Sequence, residues 1–193
     1  MTLQTSVEIY QGAGFRGQWY DISDTEVVSL TAEGSHIPFG VAVVLGGHDN
    51  QCRLPDHGGY LATVGGPAAT DPDVNKFAGL AMYHTTTPTD NDEQLSLPIG
   101  DGDRGFLREK EVASCATHGR FYVVSETDVV RGDPVFFRHT LADNAASPQT
   151  QQLGMLRNDD DGGTAIQIAG AEFMHSSIAG ELTIVKLTGA VQA

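Results

Sequence analysis

Three glycines in Gly12-Ala13-Gly14-Phe15-Arg16-Gly17 give the spacing GxGxxG. That spacing can carry a dinucleotide's pyrophosphate on the backbone amides that begin a helix. The chemistry needs the helix. The next residues are Gln18-Trp19-Tyr20-Asp21-Ile22, with no amphipathic period and no strand–helix–strand unit around them. Phosphate binding is therefore not expected, and the segment reads as extended, glycine-rich chain. A second cluster, Asn158-Asp159-Asp160-Asp161-Gly162-Gly163, is rich in carboxylates. A calcium loop spaces its oxygen ligands at alternate positions around a central glycine and ends on a glutamate. Consecutive acids diverge instead, so an acidic turn ended by glycine is the better reading. Asp101-Gly102-Asp103 allows the same two readings.

The seven histidines never fall at metal-ligand spacing, and no HxH, HExxH or CxxC is present. His48 and His57 flank Cys52, but their neighbours are turn residues. Ser114-Cys115 lies close to His118, yet an alternating strand pattern there turns Cys115 inward. No GxSxG elbow occurs. No catalytic residue, metal ligand or cofactor is expected, because a nucleophile, a base and an orienting group cannot be assembled. Cys52 and Cys115, the only cysteines, read as buried, reduced thiols. A disulfide between them is not implied.

The elements that must position these residues are strands. Apolar residues make up 40% of the 193 and charged residues 19%, while 23 glycines and 8 prolines are spread along the chain. This is the punctuation of an all-β protein. Strand-like segments run over Ser6–Tyr10, Val41–Leu45, Tyr60–Val64, Ala78–His84, Gln94–Leu97, Val135–His139, Leu153–Arg157, Thr164–Ala169, Ala171–Ser176 and Glu181–Leu187. Glu111–Thr117 and Phe121–Ser125 read as a hairpin joined by His118-Gly119-Arg120. One short, weak helix is the most that Asp21–Leu30 supports, since Thr25, Val27 and Val28 are β-branched. Thr85–Asp92 and Ala142–Thr150 read as surface loops. A formal charge of −14 repels phosphate backbones, so neither nucleic acid nor anionic membrane is an expected partner. The start, Met1-Thr2-Leu3-Gln4-Thr5, lacks a signal peptide's pattern, and no apolar run is long enough to span a bilayer.

One cluster remains. Phe15, Trp19 and Tyr20 lie in the glycine-rich segment beside Arg16 and Gln18. Either they cap the core, or they anchor onto another chain, as Trp, Tyr and Arg do at interface hot spots.

Several segments, in order, resemble the capsid cement (decoration) proteins of tailed bacteriophages. They are Gly14-Phe15-Arg16-Gly17-Gln18, Ile37-Pro38-Phe39-Gly40-Val41-Ala42-Val43-Val44, Ala78-Gly79-Leu80-Ala81, Pro98-Ile99-Gly100-Asp101, Val112-Ala113, Val130-Arg131-Gly132-Asp133-Pro134-Val135-Phe136-Phe137, Gly154-Met155-Leu156, Ile168-Ala169-Gly170-Ala171-Glu172-Phe173 and Gly180-Glu181-Leu182-Thr183-Ile184-Val185-Lys186-Leu187. The resemblance implies a jelly-roll-like β-sandwich with no enzymatic chemistry. It implies an extended N-terminal arm over residues 1–20 and a single β domain over residues 21–193. It also implies a virion component on the outer surface of the capsid, made in the host cytoplasm, that clamps adjacent subunits of the major capsid protein. Self-association follows, a homotrimer before a homodimer. Phe15, Arg16, Gln18, Trp19 and Tyr20 become candidates for the capsid or subunit interface. Two other readings stay open. One is a carbohydrate-binding β-sandwich of a fibre or adhesin, with Tyr60, Tyr83 and Tyr122 as the spare aromatics. The other is a cupin-like enzyme, which would need histidines and a glutamate converging on a metal.

Overall fold

The computed structural model describes residues 14, 16–33, 37–55, 76–83, 106–107, 109–140 and 153–192. All regular structure within them is β: β1 (Trp19–Ala32), β2 (Ile37–Pro38), β3 (Ala42–Leu45), β4 (Gln51–Arg53), β5 (Phe77–Ala81), β6 (Phe106–Leu107), β7 (Val112–Val124), β8 (Pro134–Arg138), β9 (Leu156–Arg157), β10 (Ala165–Phe173) and β11 (Leu182–Gln192). The strands expected over Ser6–Tyr10, Tyr60–Val64 and Gln94–Leu97 lie outside the described residues, as do the two expected loops and the Asp101–Asp103 turn.

Nine strands form one mixed sheet in the order β1-β4-β3-β5-β7-β11-β10-β8-β9, and β1 also pairs with β7. That extra pairing closes β1, β4, β3, β5 and β7 into a ring. The remaining strands continue from the far side of β7, and a single parallel bridge, Ser125 to Leu156, brings β9 back to the end of β7. β7 is thus the strand that both halves share. Each half has its own core. Leu30, Ile37, Val41, Val43, Cys52, Leu107 and Cys115 pack together in one. Phe121, Val135, Phe137, Leu156, Ile168, Phe173, Val185 and Leu187 pack in the other.

This arrangement explains the continuous apolar run at Val41–Val44. Side chains alternate across a strand. Val41 and Val43 enter the first core, while Ala42 and Val44 enter the second. β3 is buried on both faces, which is where unbroken apolar strands belong.

Two expectations fail here. Asp21–Leu30 is not helical; it is the body of β1, laid antiparallel to β7 with Val27 opposite Ala116 and Leu30 opposite Ala113. The β-branched residues that weakened the helix favour this strand, and the ladder with β7 satisfies its amides. The predicted hairpin at His118-Gly119-Arg120 is also absent, because β7 runs straight through it. Gly119 adopts φ 122° as an in-strand irregularity. A Cβ there would lie 2.7 Å from the Thr25 methyl. Opposite it, β1 shifts register between Asp21 and Glu26, and Asp24 takes a positive φ of 56°, the marks of a bulge. Gly170 likewise sits inside β10, merging the two strands expected at Thr164–Ala169 and Ala171–Ser176.

His118 fastens this irregular zone. Its Nδ1 accepts the Gly189 amide at 3.0 Å, so the proton sits on Nε2, which donates to Asp24 at 3.1 Å. One imidazole therefore ties β1 and β11 across β7.

The acidic run Asn158–Gly163 is a turn between β9 and β10, with the Asp160 carbonyl accepting from Gly163, Thr164 and Ala165. The side chains of Asp159 and Asp161 converge on two buried arginines. Arg138, 1% exposed, is held by Glu126 and by Asp161 at 2.6 Å. Arg157 is held by Asp159 and by Asp161 at 2.9 Å. Arg138 also donates to the Thr140 carbonyl and the Thr164 hydroxyl. Burying a cation is tolerable only when it is paired and hydrogen-bonded in this way.

Candidate interface surface

Of the residues singled out from sequence, Phe15 lies outside the described residues. Arg16, Gln18, Trp19 and Tyr20 fall along one line where the chain joins the body. Gly17 donates to the Tyr122 carbonyl at 2.7 Å and accepts from the Tyr83 amide, while Tyr122 donates to the Gln18 carbonyl. Arg16 Nε donates to the Phe39 carbonyl at 2.6 Å, and burial lowers its pKa from the usual arginine value. Trp19 meets Phe121 edge to face, with centroids 6.0 Å apart, and borders the second core. These residues are bound into the chain's own fold.

Gly17 and Gly40 explain why the two glycine-marked segments belong together. A Cβ on Gly17 would lie 2.8 Å from the Gly40 nitrogen, and one on Gly40 would lie 2.7 Å from the Gly17 nitrogen. Both have positive φ, 78° and 72°. The two backbones touch directly, and Gly40 then donates to the Ala81 carbonyl. The two segments, singled out separately in the sequence, lie against each other here. Their separation in the chain hid the contact.

Tyr20 is different. It is 45% exposed and meets Tyr122 edge to face at 5.6 Å. The register of β7 and β11 sets Tyr122 beside Ile184 and Arg120 beside Lys186, all turned away from the second core. The two cations are neighbours, which alone is unfavourable. Each is drawn off by a carboxylate on its far side: Arg120 to Asp21 at 2.9 Å and Lys186 to Glu172 at 3.4 Å. The result is an apolar row, Tyr20–Tyr122–Ile184, exposed at Tyr20 and buried at Ile184, beside a row of ion pairs. Gly14 lies on this face. It is buried, and a Cβ there would come within 2.3 Å of the Tyr122 ring. The chain therefore reaches the body across the Tyr122 surface. Sequence reading placed Tyr20 at a candidate interface and Tyr122 only among the spare aromatics of a glycan reading; it missed Ile184 and the charge row, which become their neighbours only through strand pairing.

Of the aromatics set aside for a glycan groove, Tyr60 lies outside the described residues. Tyr83 packs edge-on against Phe39 and Tyr122 against Tyr20. Among the described residues, no cluster of three or more His, Cys, Asp or Glu side chains could hold a metal ion, and no helix is long and apolar enough to cross a membrane.

Residues 3–188 match the family described as structural cement protein (E217 gp24/Pam3 gp6). In fold, the chain is similar to a chain from the capsid of Myoviridae Phage XM1, with TM-score 0.59 and 14% identity over 97% of this chain and 98% of that one. A more distant likeness, with TM-score 0.37 and 9% identity over 88% of this chain and 98% of the other, is to the head fiber gp8.5 N base in bacteriophage phi29. Among curated proteins, none matches. With the family match spanning almost the whole all-β chain, the protein belongs to the phage structural cement family and is a structural, capsid-associated component of a virion.

Proposed function

We propose that the protein sits on the outer surface of the capsid and clamps adjacent subunits of the major capsid protein. The observation that carries this is the Tyr20–Tyr122 face, exposed at Tyr20 and crossed by the incoming chain at Gly14. Residues before Gly14 then reach a capsid subunit or a sister copy, and Tyr20 and its ion-paired neighbours form the rim of that contact. At the base of the arm expected over residues 1–20, Arg16, Gln18 and Trp19 fasten it to the body, while Tyr20 stays exposed. The protein acts as a homo-oligomer, a trimer in the first instance. A clip that binds the assembled shell but not free subunits stabilises the shell by mass action. Several copies joined together add avidity to contacts that are weak singly. The role requires no chemistry, in keeping with a structural family.

Two variants test the reading, one lacking residues 1–13 and one carrying Tyr20→Ser. Both should keep the wild-type far-ultraviolet circular dichroism. Mixed with capsids lacking the cement protein, both should show reduced occupancy by cryo-electron microscopy, and the capsids should release DNA at lower temperature than with wild type. Undiminished occupancy for both variants would remove this surface from the contact. Sedimentation equilibrium of the free protein gives the oligomer number.

A further inference from the structure

The interior of the β1-β4-β3-β5-β7 ring holds a chemical feature that capsid binding does not use. Cys52 on β4 and Cys115 on β7 are both fully buried and unpaired, yet their sulfurs face each other at 3.8 Å. They are 63 residues apart in sequence. β4 and β7 are not paired with each other in the sheet; each pairs with β1, at Cys52 to Ala32 and at Cys115 to Val28. The residues around them, Leu30, Ala32, Ile37, Val43, Ala81 and Ala113, are apolar. Besides the Cys52 sulfur, Cys115 Sγ has only a long contact of 3.9 Å to the Ala113 carbonyl, and among the described residues no metal-binding cluster includes either thiol.

We propose that Cys52 and Cys115 are a latent oxidation site, at which a peroxide joins the two sulfurs into a disulfide across the interior of the ring. The Cys115 S–H donates to the Cys52 sulfur, which favours the proton on Cys115 and leaves Cys52 the better nucleophile; burial further raises the pKa of Cys115. Cys52 attacks one peroxide oxygen as its thiolate, becomes a sulfenic acid and releases water once the leaving hydroxide takes a proton. The Cys115 sulfur then attacks the sulfenic sulfur. Its proton and the departing hydroxyl leave as a second water, and the two electrons lost by the sulfurs have reduced the peroxide. The sulfurs must close from contact distance to about 2.05 Å, a movement that rotation of the two side chains can supply. Reducing cytosol keeps the pair open, and oxidising surroundings close it. The virion reading bears only on timing, since release from a host cell is such a change. The chemistry itself rests on the geometry and is tested on the free protein, apart from capsid binding.

The purified full chain, reduced and then exposed to dilute hydrogen peroxide, should lose the mass of two hydrogens per chain. A non-reducing peptide map should contain one linked pair, Cys52 with Cys115. The thermal midpoint should rise by roughly 5–10 °C, as a cross-link of this span constrains the unfolded chain, and return on reduction. Cys115→Ser should show neither the mass loss nor the rise. If that variant folds poorly, oxidised and reduced wild type still give the full comparison. The proposal is overturned if both cysteines are still alkylated after unfolding of the peroxide-treated protein. It is equally overturned if the only disulfides formed join separate chains, or if the linked form melts no higher than the reduced form.

Discussion

Single residues decide most where they are buried with charge. Arg138 and Glu126 are almost without solvent contact, so removing Glu126 leaves the buried Arg138 charge with Asp161 as its remaining carboxylate. Glu126→Ala should lower stability by about 1.5–3 kcal/mol, the loss of charged hydrogen bonds partly compensated by Asp161, read as a shift in the denaturant midpoint at unchanged slope. Asp161 offers a test in pH. The hydrogen bond from Arg138, joined by Thr164 and by the charge of Arg157, holds its pKa below the usual carboxylate value. A depressed folded pKa means that the unfolded chain binds this proton more readily. The contribution of Asp161 is therefore complete above the ordinary carboxylate pKa, about 3.9. It fades as pH falls through that value toward the lower folded one. The gap in thermal midpoint between wild type and Asp161→Asn should be constant from neutral pH to about pH 5 and narrow below about pH 4. A gap that widens on acidification contradicts the pairing. The sequence marked this acid run as a turn but gave no sign of its targets. Arg138 and Arg157 each lie in a strand pattern, and nothing local shows that both point inward.

At the scale of elements, legibility followed burial. β3, β5 and β8 were readable because apolar runs in strands need no partner to be recognised. β2, β4 and β6 are too short to carry a period, and β1 was mistaken because bulges break its alternation. Glycine misled in a consistent way. Gly119 and Gly170 looked like the ends of strands, yet each sits within one, where it accommodates a bulge or a close neighbour. The Gly17–Gly40 contact was illegible for another reason: it joins residues far apart in the chain and exists only once β1, β5 and β7 have assembled. Gly17→Ala and Gly40→Ala should each cost about 1–3 kcal/mol, from steric overlap and an unfavourable φ. The double variant should cost less than the sum, because one methyl already forces the two backbones apart. Strict additivity in thermal denaturation would show that the two glycines do not share a contact.

For the molecule as a whole, the all-β fold could be anticipated from composition and turn spacing. The way two cores hang on one long strand could not, because a glycine concealed the continuity of β7. That continuity suggests cooperative unfolding, with a single transition by circular dichroism and by tryptophan fluorescence at Trp19. Two separated transitions would mean that the halves melt independently. The ring also leaves one side of β1 without a strand partner between Trp19 and Leu30, among the described residues. A bare strand flank invites a second molecule to add to it. Here the flank carries Asp24 and Glu26, with irregular register and an exposed Asp24 side chain. Like charges and a broken ladder are known defences against such growth. The carboxylates of β1 then act as guards against runaway polymerisation. The double change Asp24→Val with Glu26→Val should give scattering that rises with protein concentration, while wild type stays clear.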